Sequence, residues 1–144
     1  AVLKAAPNAV AARKFLEYLQ TSAAGEVFES VGIFFPFIIA AILKTAQGSS
    51  TVAITTTAGI LGLYSAEGSL MSALGLTSPF AAALTVMAIG AGAMTVSHAN
   101  DSYFWVVSQF SDMKTNEAYK CQTGMTAVMG ITIIAILFVV SLFL

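Results

Sequence analysis

The sequence predicts an all-α membrane protein: a re-entrant helical hairpin, one discontinuous transmembrane helix and a C-terminal transmembrane helix. Three observations predict it. Hydrophobic residues make up 58% of the chain and charged residues 9%, with a mean hydropathy of +0.87, whereas an ordinary soluble domain carries about 25% charged residues. The few charges stand far apart and leave long apolar stretches between them. Two of these stretches are interrupted by small and polar residues, GSST at 48–51 and SHAND at 97–101. Unpaired backbone is tolerated at membrane depth only where protein covers it or it lines a cavity.

Taken in order, residues 1–29 read as an amphipathic interfacial arm, with Val10, Phe15, Leu16 and Leu19 at helical spacing and Arg13, Lys14 and Glu17 opposite them. Residues 30–64 form the hairpin, with its tip at 47–51. Its arms, Ser30–Ala46 and Thr51–Tyr64, reach roughly 25 and 21 Å at about 1.5 Å per residue, short of a hydrocarbon core of about 30 Å. Both ends therefore return to one face, and Pro36 is expected to kink the first arm. Residues 65–79 connect to the discontinuous helix, 80–112, whose second half after the 97–101 break carries Tyr103, Phe104, Trp105 and Phe110. Residues 113–120 read as a water-exposed polar loop, and its Lys114 and Lys120 put it in the cytoplasm. The charge-free residues 121–144 make the spanning helix. Gly59, Gly62, Gly90 and Gly92 are expected to permit close helix packing.

Several function classes drop out. A net charge of −1 offers no field for nucleic acid. Cys121 is the single cysteine, which leaves no internal disulfide and no cysteine-based metal cluster. No Walker motif, dinucleotide fingerprint, HExxH or serine-nucleophile elbow occurs, so an enzyme reading has no support, and no metal or cofactor is expected. Without an initial methionine or a signal-peptide pattern, the sequence reads as a piece of something longer.

Two segments could carry chemistry. At Gly48, Ser49, Ser50 and Thr51 a tight turn opens a helix whose free N–H groups and macrodipole suit an anion; alternatively these hydroxyls serve only caps and packing. In SHAND, His98 and Asp101 are ionisable groups inside apolar sequence and need a cavity or a partner. Either could exchange protons, with Asp101 favoured and His98 as its hydrogen-bond partner. Ser97 and Asn100 would contact a hydroxylated substrate. The structural alternative, compatible with the first, makes Asp101 the N-cap of a half-helix starting at Ser102.

The stretch GSSTVAITTTAGI resembles the GSATVA-ITTAG segment of the gluconate permease family of bacterial proton symporters, and GAGAMTVSHANDSYFWVVSQF resembles its GAGS-SHVND-GFW segment. The resemblance covers Phe28–Leu144 and departs at Ser50, where the family has alanine, at Ala99, where it often has valine, and at Ser102–Tyr103. It implies half of an inverted-repeat transporter of the ion transporter superfamily, with GSST as the tip of the second repeat's hairpin and SHAND as the break in its discontinuous helix. It further implies proton-coupled symport of gluconate or a related small carboxylate across the bacterial inner (cytoplasmic) membrane by a multi-pass permease. This chain would be the C-terminal part, its partners the lipid bilayer, the N-terminal repeat and a second copy in a homodimer, and its energy source the proton gradient. Two alternatives remain at this level: a sodium-coupled organic-anion transporter of the same superfamily, and a non-transporting membrane assembly subunit.

Overall fold

Glycine, proline and serine positions set the helix ends. A computed structural model describes residues 32–143; the amphipathic arm expected over 1–29 lies outside them. Helix α1 (Phe34–Gln47, 14 residues) ends at Gly48, which adopts φ 70° and donates its N–H to the Lys44 carbonyl at 2.8 Å. This left-handed cap satisfies an otherwise free carbonyl. Pro36 falls in the first turn of α1, where an N–H has no helical partner anyway. It therefore starts this arm rather than kinking it, because the described helix begins at Phe34. Helix α2 (Ser50–Leu61, 12 residues) follows at once, with the Ser49 hydroxyl accepting the Val52 N–H at 3.3 Å as its N-cap. The two helices pack on each other across the Gly48–Ser49 turn.

The connection expected as a loop over 65–79 contains one helical turn, α3 (Leu70–Ala73), and tucks Met71, Leu74 and Leu76 into the core. Helix α4 (Pro79–Met94, 16 residues) starts with proline at its first position and the Ser78 hydroxyl capping Ala81. It occupies the centre, packed against α1, α2 and α7. Small residues make that possible: Ala81, Ala88, Ala91, Gly92 and Ala93 are all buried. A Cβ on Gly92 would collide with the Phe37 carbonyl, so its absence lets α1 and α4 approach closely. Gly59 and Gly90, by contrast, have nothing within 4 Å of a would-be Cβ, and Gly62 ends α2, so of the four expected packing glycines only Gly92 is a helix contact.

At Thr95 the chain leaves α4, and Val96 takes a positive φ of 57°, an unusual conformation for a β-branched residue. Helix α5 (Ser102–Phe110) begins after the break. The expected polar loop is largely helical instead. Helix α6 (Thr115–Ala118), a π-helical turn (Tyr119–Thr123) and α7 (Gly124–Ser141) run on without interruption. Lys114, Asn116, Glu117 and Lys120 stay exposed along its start, so polarity here marks a wet helix end. The continuous element Thr115–Ser141 has 27 residues, about 40 Å at 1.5 Å per residue, and is the one helix among the described residues long and apolar enough to cross a membrane.

Side-chain size is distributed inside out. Among the described residues the interior mixes alanine, glycine and threonine with leucine and isoleucine, while Ile42, Leu63, Val86 and Phe110 are 62%, 69%, 68% and 90% exposed. A fold driven only by water would hide these. All described regular structure is helical.

Candidate functional site

The hairpin tip and the break meet. Gly48 lies directly beneath the Asn100 carbonyl, which occupies the space a Cβ would need. Around this contact, the Asn100 side-chain amide donates to the Ala46 carbonyl at 2.9 Å, and His98 Nε2 is 3.1 Å from the Thr45 carbonyl. His98 Nδ1 accepts the Asn100 N–H at 3.2 Å. The neutral tautomer with its proton on Nε2 satisfies both ring contacts at once. The C-terminal carbonyls of α1, left free by the helix end, are thus taken up by SHAND side chains. The Trp105 indole N–H closes the far side on the Ala99 carbonyl at 2.8 Å.

Beneath this clasp lies a charge pair. Lys44, 2% exposed on the last turn of α1, places its Nζ 2.6 Å from Asp101 Oδ2 and 3.5 Å from the Gly48 carbonyl. The Ser97 hydroxyl donates to the same Oδ2 at 2.6 Å, and the Tyr103 N–H to Oδ1 at 3.0 Å. Asp101 is consequently both the N-cap of α5 and the counter-ion of Lys44. Helix α7 and the π-helical turn before it fix the approach: Thr126 Oγ1 accepts the Ser97 N–H at 3.0 Å, and the Thr123 hydroxyl donates to the Ser97 carbonyl at 2.5 Å.

A cavity of about 100 Å³ opens onto the pair, lined by Lys44, Asp101, Ser97, Ser50, Tyr103 and Thr126, with Met94 as its apolar wall. At about 30 Å³ per water it holds a few waters or a carboxylate group. Of the residues singled out from sequence, Ser50, Ser97 and Asp101 come together on this cavity. Gly48 forms the tip and Ser49 caps α2 beside it. Thr51 is exposed and offers only its carbonyl, to the Thr55 hydroxyl at 2.9 Å. His98 and Asn100 tie the tip to the break and are not among the lining residues. Sequence reasoning missed Lys44, Tyr103 and Thr126. For Lys44 a signal existed: a lone lysine between two apolar stretches requires a partner, and Asp101 is the acid of the other interrupted stretch.

Residues 22–143 match the sequence profile of the GntP family permease. This chain belongs to the GntP permease family. The chain is 30% identical over 137 residues to a gluconate permease of Pseudomonas aeruginosa, covering 90% of this chain and 28% of that protein. It is 35% identical over 100 residues to the uncharacterized permease YojA of Bacillus subtilis (69% of this chain, 20% of that protein). It is 33% identical over 106 residues to a gluconate permease of Zymomonas mobilis (74% and 22%). These GntP relatives are permeases, not enzymes, and the chain spans between 20% and 28% of their length. No solved structure matches it.

Proposed function

We propose that the permease containing this chain carries out proton-coupled symport of gluconate or a related small organic acid across the bacterial inner membrane, and that this chain supplies half of the transport site. The observation that carries the reading is the convergence of Ser50 from the hairpin tip with Ser97 and Asp101 from the break on one cavity beside the buried Lys44. Hydroxyl donors and a cation are what a carboxylate requires. Gluconate as the substrate rests on the names of the relatives.

Helices α1 and α2 extend about 21 and 18 Å, less than a hydrocarbon core of about 30 Å, which favours a re-entrant hairpin with its tip inside the bilayer. On this reading α4 and α5 are the two halves of a discontinuous transmembrane helix, and Thr95–Asp101 is the non-helical segment at substrate depth. The exposed isoleucine, leucine and valine side chains then face lipid or the remainder of a multi-pass permease. Ser50 and Ser97 contact the substrate, and Gly48 and Ser49 hold the tip in place. Thr51 and Asn100 contact it only if the upstream repeat brings it to the outer side of the tip. Asp101 carries the proton, because both nitrogens of His98 are engaged with backbone atoms. By the family resemblance the permease works as a homodimer.

The test is uptake of labelled gluconate by the full-length permease in proteoliposomes. An inwardly directed proton gradient should drive accumulation in sodium-free medium. A strict sodium requirement would assign sodium coupling instead, and absence of gluconate flux under either gradient would remove transport of this substrate from the reading.

A further inference from the structure

We propose that Lys44 is the ligand of the substrate's carboxylate, and that this carboxylate and Asp101 take Lys44 in turn: the substrate pairs with Lys44 only after Asp101 has accepted a proton. The proposal rests on the symport reading and supplies its coupling step.

The argument is one of charge. Among the described residues the cavity contains one cation, Lys44, and one anion, Asp101, in contact at 2.6 Å and both nearly sealed from the exterior. Adding a carboxylate to this neutral pair would leave an uncompensated negative charge against two side chains that are nearly excluded from solvent, which is unfavourable. Protonating Asp101 removes that obstacle. The proton forms an O–H bond on the Asp101 carboxyl, the ion pair to Lys44 opens, and Lys44 pairs with the incoming carboxylate. The cavity is neutral before and after, and one proton enters with each carboxylate.

The local geometry suits such an exchange. Asp101 does not depend on Lys44 for its position, because the Tyr103 N–H and the Ser97 hydroxyl hold both of its oxygens. The Ser97 hydroxyl can turn from donor to acceptor when the carboxyl gains its proton. Lys44 already has a second partner in the Gly48 carbonyl at 3.5 Å, toward the tip that carries Ser50. Among the described residues, the other groups lining the cavity do not supply a competing charge. Tyr103 from α5 and Thr126 from α7 line the cavity as neutral side chains, and α4 contributes Met94. His98 in the break is bonded to Thr45 and Asn100. Glu67, Asp112, Lys114, Glu117 and Lys120 are not among the lining residues. A cavity of about 100 Å³ admits a carboxylate end more readily than a whole sugar acid, so recognition of the hydroxylated remainder falls to surfaces outside it.

The experiment is gluconate binding to the purified full-length permease by calorimetry, in buffers of different ionisation heat across neutral pH. The wild type should take up about one proton per gluconate and lose affinity by about tenfold per pH unit at the alkaline end. Asp101→Asn should bind gluconate with no pH dependence and lose uphill accumulation. The double variant K44Q/D101N contains no buried charge that could misfold it unpaired, and should bind at least tenfold more weakly than D101N. Binding by the wild type without proton uptake overturns the proposal, and this measurement needs no variant to fold. So does a double variant that binds as tightly as D101N, or as tightly as the wild type should D101N alone fail to fold. If either occurs while the wild type still accumulates gluconate on a proton gradient, the exchange at Lys44 fails and the symport reading stands. If the wild type shows no proton-driven accumulation, it is the symport reading that fails.

Discussion

Replacing Gly48 by alanine tests the junction on which the whole site depends. Gly48 has φ 70°, and an added Cβ would occupy the place of the Asn100 carbonyl. A side chain in left-handed backbone costs roughly 1–2 kcal/mol. The collision is with backbone, so the tip and the break must separate, and the bonds from Asn100 to Ala46 and from His98 to Thr45 stretch together. At about 0.5–1.5 kcal/mol for each, the total comes to about 2–5 kcal/mol. The matched control is Gly90→Ala, in the middle of α4 with nothing within 4 Å of the new methyl. Helix propensity alone favours that change by about 0.8–1.0 kcal/mol. Unfolding of the full-length permease in mixed detergent micelles should therefore move in opposite directions for the two variants, and gluconate uptake should fall only for Gly48→Ala. A Gly48→Ala protein within about 0.5 kcal/mol of wild type, or a Gly90→Ala protein damaged as severely, would refute the close contact between tip and break.

Two further outcomes follow from positions around the same junction. Ser50→Trp should fill the cavity of about 100 Å³ and abolish gluconate uptake without lowering the amount of permease in the membrane, whereas undiminished uptake would show that the cavity is not on the substrate's route. A cysteine at the exposed Asn116, in a Cys121→Ser background because Cys121 is itself exposed, should react with a membrane-impermeant maleimide only once the cytoplasmic face is opened. Labelling from outside intact cells would invert the orientation.

What could be read from the sequence divides along local and long-range lines. The Gly48–Ser49 turn announces itself within a few residues, since glycine ends α1 and serine starts α2. Asp101 before Ser102 is the same kind of signal. Lys44 carried none of this, because its partner is 57 positions away and only the docking of hairpin on break joins them. Gly90 and Gly92 look alike in sequence, yet two residues along a helix turn through about 200°, so only one of them meets α1. The helix over 115–120 was hidden by equating polarity with irregular structure, although Glu117, Ala118 and Lys120 are good helix formers. Pro36 is a kink or a beginning depending on where α1 starts, and a turn at Gly32–Ile33 puts it in the first turn, a boundary no local residue type marks.

The distance in sequence between Lys44 and Asp101 also bears on how the protein reaches its membrane. When the α1–α2 hairpin leaves the ribosome, its lysine lacks the counter-ion it has in the fold, for Asp101 has yet to emerge. A hairpin too short to span the bilayer and carrying a lone cation is a poor substrate for insertion. We expect it to wait at the membrane surface until α4 and the break arrive, and to enter with them as one unit. Nascent chains halted before Asp101 emerges should thus leave the hairpin open to protease, and chains halted after α7 should protect it; protection in both would show that the hairpin inserts alone. On the first outcome the ion pair is also a checkpoint of biogenesis, closing only when hairpin and break have been delivered to the same place.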